Sequence, residues 1–253
     1  MSLINLLEPK FGRHAIPGLI PAIAILQLIV FFIALANPGY IGLLNLDFTQ
    51  ILQGQVWRLL SWLILPVYNS IIWAIIGTMV TIMIARALEE AWGAFRLNIF
   101  YLVSTGAVVA VSLIFHLIGY GIVVSNLSFV FPLDLNSAVF LSFAVLFPNF
   151  EFRLYFFIPV KVKWLAILSA AFIVFRVIDT SFLIYFTTAA HLPFLLWAVP
   201  IAVRSYRQRA NVAARRSRFQ RDSYDPSTSF HTCHACSKTE HDDPHLEFRV
   251  SAD

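Results

Sequence analysis

The chain has 253 residues, 59% of them hydrophobic and 13% charged, with a formal charge of +4 and a mean hydropathy of +0.76. A soluble domain of this length needs a charged exterior that this composition cannot supply, which excludes the ordinary classes of soluble enzyme and binding module. Apolar runs of roughly 18 residues or more recur, each long enough to cross about 30 Å of hydrocarbon as a helix, so the sequence reads as an all-α polytopic membrane protein.

In chain order, an amphipathic leader occupies 1–15 and a membrane domain 16–203. Six spans are predicted at 16–36, 67–88, 97–118, 129–147, 163–180 and 182–203, all helical because lipid offers no partner for an unpaired backbone group. The first has a basic flank but no small-residue cleavage pattern, so it reads as a retained helix. The sequence "GYGIVVSN" separates the third and fourth spans, and a turn near Asp179–Ser181 separates the fifth and sixth. Between the first two spans lies "NPGYIGLLNLDFTQILQGQVWRLLSWLILP", 37–66, too apolar for a water-exposed loop. Short helices in the outer interface are expected there, with Trp57 and Trp62 at headgroup level. An Arg-rich connector follows at 204–222 and a small polar tail at 223–253; no internal repeat is evident.

The basic residues set the orientation. With both termini in the cytoplasm, 16 of the 18 lysines and arginines fall inside, Arg58 and Arg176 being the exceptions. Seven arginines in "RSYRQRANVAARRSRFQR", 204–221, follow the last span directly. Such a cluster is expected from topology alone and meets anionic headgroups, so the partner is the lipid bilayer, in the plasma membrane, and not nucleic acid. Arg176 and Asp179, spaced i and i+3, can pair on one helix face. His116, near the end of the third span, is expected to reach water.

Four stretches then carry a resemblance. They are "GQVWRLLSW" (54–62), "EEAWG" (89–93), "FPNFEFRLYFFIPVKVKWLA" (147–166) and "AAHL" (189–192). In that order they resemble the Trp-Arg loop, the Glu-x-x-x-Gly turn, the connection between spans four and five, and the Ala-His of rhomboid intramembrane serine proteases. The resemblance implies a six-helix rhomboid-like bundle, in which Trp57, Arg58, Glu89 and Gly93 are family-like structural residues. It also implies a general base at His191.

The same comparison implies a broken reaction. The family's serine lies in Gly-x-Ser-Gly on span four, whereas here "PLDLNSAVF" (132–140) sets Asn136 at the nucleophile's place, Ser137 at the following glycine and Asp134 at the first glycine. An amide cannot form the acyl-enzyme. The family's oxyanion donors on span two fall at Trp73 and Gly77. The glycines after the histidine fall at Phe194 and Ala198, with Pro193 inserted, and bulky Phe194 argues against close approach of spans four and six. A fold without the reaction is expected. The remaining protease reading makes Ser137, one position along and turned by about 100°, the nucleophile beside His191. Otherwise Asn136 and Ser137 cap a helix N-terminus whose dipole favours Asp134, and His191 hydrogen-bonds Asn136 or a backbone carbonyl.

The tail, "FHTCHACSKTEHDDPHLEFRV" (230–250), holds both cysteines as Cys233-x-x-Cys236. A cytoplasmic setting disfavours a disulfide, and the spacing suits half of a tetrahedral zinc site. The segment resembles the first half of a zinc ribbon, so zinc is the expected cofactor. Further ligands could come from His231, His234, His241 or His245, or from a second copy of the chain. No cofactor is expected in the membrane domain. The functional expectation is a non-proteolytic membrane protein that recognises transmembrane helices of client proteins. The alternatives are a divergent intramembrane protease and a transporter or channel, the last disfavoured by the lack of inverted repeats and interrupted helix pairs.

Overall fold

The computed structural model describes residues 8–154, 158–223, 233, 236–239 and 242. Two units are distinguished, Met1–Ala202 and Val203–Asp253. In the first, α1 (Leu19–Ala36) is followed by three short helices, α2 (Gly39–Leu44), α3 (Phe48–Leu52) and α4 (Arg58–Ser61), the last running into a 3₁₀ turn at Trp62–Ile64. The long helices α5 (Ile71–Trp92) and α6 (Ala94–Phe115) come next, then α7 (Gly121–Leu127) and α8 (Phe131–Leu146). A hairpin of β1 (Glu151–Leu154) and β2 (Ile158–Lys161) leads to α9 (Val162–Asp179) and α10 (Leu183–Ala190). The last helix, α11 (Val199–Ser223), carries the arginine-rich sequence.

Length and composition qualify three helical stretches among the described residues to cross a membrane: Glu8–Ala36, Ile71–Trp92 and Ala94–Leu127. The other three expected spans fall short for separate reasons. α8 is apolar but has 16 residues, about 24 Å at 1.5 Å per residue. α9 carries Lys163, Arg176 and Asp179 among its 18 residues. The sixth is interrupted, because Pro193 has no N–H and its ring crowds the carbonyl four residues back; α10 ends at Ala190 and a π-turn occupies Phe194–Ala198. At "GYG" the chain kinks without leaving its helical path, with Gly119 at φ 92° inside a π-turn between α6 and α7. Non-glycine residues rarely adopt such a φ, and glycine does so freely.

The turn "EEAWG" shows why its residues stand where they do. Gly93 closes α5 at φ 84°, which lets α6 start at the next residue. One turn earlier, both carboxylate oxygens of Glu89 accept the backbone N–H of Gly18, each at 3.1 Å. Gly18 is the N-cap of α1 and has no capping side chain of its own. Glu89 therefore satisfies a helix-terminal donor and places a negative charge at the positive end of α1.

The 37–66 segment forms short helices as expected, but Trp62 packs its indole inside the protein rather than facing outward. Its side chain is fully buried, donates from Nε1 to the Leu59 carbonyl at 2.9 Å, and meets Phe131 edge-on at 5.8 Å. Trp57 is exposed. Arg58 is buried and holds the segment together, donating to Gln55 Oε1 at 2.7 Å, the Gly42 carbonyl at 2.9 Å and the Asn45 carbonyl at 3.1 Å. The Trp-Arg pair thus divides its work: the arginine ties α2 to α4 through backbone carbonyls, and the indole faces outward.

The hairpin between α8 and α9 was not anticipated. Its strands pair antiparallel, Glu151 opposite Lys161 and Phe152 opposite Val160. The alternation in "FEFRL" is a strand signal, here overlooked inside an otherwise helical chain. Phe143, Phe150 and Phe152 form an aromatic cluster where the hairpin meets the end of α8.

Candidate functional site

The polar residues of "LDLNSAV" sit inside α8, whose N-cap is Val130 and whose first residues are Phe131 and Pro132. Asn136 and Ser137 are consequently in the second turn and cap nothing. Asp134 does lie in the first turn, where the helix dipole favours its charge.

Ser137 Oγ lies 3.0 Å from His191 Nε2. The ring's other nitrogen, Nδ1, is 2.8 Å from the Thr187 carbonyl, which can only accept, so Nδ1 carries the proton. In the neutral ring Nε2 is then an acceptor aimed at the serine hydroxyl. Of the partners expected for His191, the backbone carbonyl is realised. Asn136 instead donates from Nδ2 to Gln27 Oε1 at 3.3 Å, and Gln27 donates in turn to the Leu63 carbonyl at 2.8 Å.

Phe194 does not keep the helices apart. It meets His191 edge-on at 6.5 Å, while Ser137 of α8 still reaches that same histidine at 3.0 Å. Ala138 of α8 and Ala190 of α10 are both fully buried, with Ala189 nearly so. Small side chains let helix backbones approach where larger ones would not.

Behind the dyad lies an ion pair. Arg176 of α9 binds the Asp134 carboxylate, not Asp179 as helix spacing suggested. The other Asp134 oxygen accepts the Thr187 hydroxyl at 3.1 Å. Asp134 is fully buried and Arg176 nearly so, and a charge removed from water is tolerated there only with such a partner. Thr187 joins the two halves, its hydroxyl on Asp134 and its carbonyl on His191. Three helices, α8, α9 and α10, are pinned at one level.

What this site can do is bounded by what faces Ser137. A serine nucleophile needs donors placed for the oxyanion. In mid-helix the backbone N–H of Ser137 is spent on the carbonyl four residues back. Its hydroxyl has one proton and two acceptors, His191 Nε2 and the Asp134 carbonyl at 2.8 Å. The positions matching the oxyanion donors are Trp73, whose side chain is exposed on α5, and Gly77, where the Tyr68 ring lies only 2.0 Å from the point a Cβ would occupy.

Residues 18–202 match the family model described as Eukaryotic integral membrane protein (DUF1751). The chain belongs to this DUF1751 family. No curated protein and no solved structure matches it. The matched region of this DUF1751 protein spans α1 to α10 and contains every residue of the Ser137, His191, Asp134 and Arg176 cluster.

Gln27, Thr187 and the Asp134–Arg176 pair were missed as site residues by sequence reasoning. Gln27 gave a signal, being an amide in the apolar run "AILQLIV". The ion pair gave none, since 42 positions separate its members. His116 is half-buried, not solvated, packed on Phe48 at 5.7 Å with Nδ1 lacking a partner.

In the second unit, Cys233 and Cys236 flank a tight turn. The Ser237 N–H donates to the Cys233 carbonyl at 2.8 Å, the Cys233 N–H to the Lys238 carbonyl at 2.8 Å, and Ser237 takes φ 57°. His231, His234, His241 and His245 lie outside the described residues. Among the described residues no group of three or more potential metal ligands is assembled.

Proposed function

We propose that this DUF1751 protein is a rhomboid-like membrane protein of six spans, with both termini in the cytoplasm, that has lost proteolysis and recognises transmembrane helices of partner proteins. The observation that carries the reading is the position of Ser137. Its N–H is consumed inside α8, its hydroxyl back-bonds to the Asp134 carbonyl, Gly77 has no side chain to donate, and the Trp73 indole is exposed on α5. The retained Arg58 clamp and the Glu89–Gly93 turn support a preserved scaffold around a disabled centre. The exposed Trp57 is the indole available to a client helix.

The test is a reconstituted assay with helical reporters. The expected result is no cleavage by the folded protein, together with capture of client helices that Trp57→Ala weakens. Capture unchanged by Trp57→Ala would remove the loop from the recognition surface.

A second reading is favoured by one observation, the 3.0 Å contact between Ser137 and His191. It is a divergent intramembrane serine protease with Ser137 as nucleophile and His191 as base. Reporter cleavage abolished by both Ser137→Ala and His191→Ala would establish it and overturn the first.

For the tail we propose a zinc site built on Cys233 and Cys236, completed by histidines of the tail or by a second copy. The turn supports this, because a left-handed residue directly after the second cysteine folds the chain back over the pair. Zinc there would supply folding energy to a segment too short to bury a core of its own.

A further inference from the structure

A cleft of about 410 Å³ opens where the C-terminal end of α1 meets the 37–66 segment and the loop before α5. Phe31, Ala34 and Leu35 of α1 line it together with Leu65, Pro66 and Phe129. Leu35 and Phe129 are more than half exposed, and Leu65 is fully buried. The cleft therefore runs from the apolar outer surface of the bundle to a closed apolar wall. None of its lining residues is charged.

Its polar groups are two amides and a phenol, from Asn45, Asn69 and Tyr68. Asn45 is the informative one. Arg58 fixes its backbone by binding its carbonyl at 3.1 Å, yet its side-chain Oδ1 is buried with no hydrogen-bond partner. A buried carbonyl oxygen left unpaired carries a desolvation penalty that a donor in the cleft would relieve. Oδ1 is an acceptor, so the partner must bring a donor into the cleft.

We infer that this cleft binds one amide-linked acyl chain of a neutral, ceramide-type lipid, its hydrocarbon along α1 and its amide on Asn45. The volume suits a single chain or part of one. The amide joins a donor and an acceptor directly to the head of a hydrocarbon chain, whereas the ester carbonyls of glycerophospholipids only accept. The uncharged lining gives an anionic headgroup nothing to bind, since the nearest guanidinium, Arg58, is spent on Gln55, Gly42 and Asn45. This site is separate from the Ser137–His191 centre and does not depend on whether the protein recognises client helices.

The experiment uses the full chain in phosphatidylcholine nanodiscs containing a ceramide with a diazirine in its acyl chain, with crosslinked peptides mapped after irradiation. Labelling is expected within 31–45 and 65–69, competed by unlabelled ceramide and not by dioleoylglycerol or phosphatidylcholine. Asn45→Leu should reduce it about tenfold, the loss of one buried hydrogen bond, and Ala34→Trp, which fills the cleft, should abolish it. Equal competition by phosphatidylcholine would reduce the cleft to ordinary lipid solvation and overturn the inference. Competition by dioleoylglycerol alone, or by a transmembrane peptide alone, would overturn it in favour of that occupant. Labelling that persists in folded Ala34→Trp protein would also overturn it, and wild-type competition decides the matter if a variant fails to fold.

Discussion

Ser137 and His191, 54 positions apart in sequence, lie with Oγ and Nε2 at 3.0 Å. The contact has the distance of a catalytic dyad, and the same hydroxyl also lies 2.8 Å from the Asp134 carbonyl. Ser137→Ala removes a neutral hydroxyl shared between two acceptors and should cost about 1 kcal/mol of stability. Thermal unfolding in detergent would register that change, and hydrolysis of helical reporters should stay at background in both proteins.

Asp134 and Arg176 should show a larger and non-additive effect. Asp134→Leu leaves Arg176 without its counter-charge in an apolar interior and should destabilise by about 3–5 kcal/mol. Arg176→Met alone strands the carboxylate and should cost a similar amount. The double variant Asp134→Leu/Arg176→Met should recover most of the loss, because no buried charge remains. A double-mutant cycle of unfolding midpoints measures the coupling.

At Gly77 a methyl group would fall 2.0 Å from the Tyr68 ring. Gly77→Ala should therefore expel Tyr68 and destabilise by about 1–3 kcal/mol, the usual range for overpacking. Tyr68→Ala in the same chain should restore much of it. If Gly77→Ala is neutral alone, the phenol does not occupy that space.

Arg58 should act through the loop rather than through the bundle. Arg58→Ala frees the Gly42 and Asn45 carbonyls together, at about 1.5–3 kcal/mol for each charge-assisted bond lost. Arg58→Lys keeps the charge but not the planar fork and should recover only part. Hydrogen exchange within 39–64 is the direct readout, with faster exchange in both variants and little change in α5 and α6.

The tail should bind one zinc per chain, or one per two chains if a second copy completes the site. Cys233→Ser and Cys236→Ser should each abolish it, since Cys-x-x-Cys supplies two of four ligands. Metal content of the purified protein, with mass measured before and after chelation, separates the two stoichiometries.

Much of this was legible in the sequence, because it depends on local composition and spacing. Apolar runs specified buried or lipid-facing helices, and Glu89 and Gly93 fell in the short stretch between two long ones. What the sequence could not decide was which polar groups meet. Helix geometry offered Asp179 to Arg176 within one turn, but packing α9 against α8 brought Asp134 closer, and a buried carboxylate has the stronger need of a partner. The bulk of Phe194 suggested separated helices, yet Ser137 and His191 approach to 3.0 Å. Sequence by itself determined a helical membrane protein and the residue types available to its centre, since hydrophobicity and periodicity are read locally. Only the tertiary structure decided that Ser137 faces His191, because that contact depends on the rotation and depth of two helices, quantities set by every side chain between them.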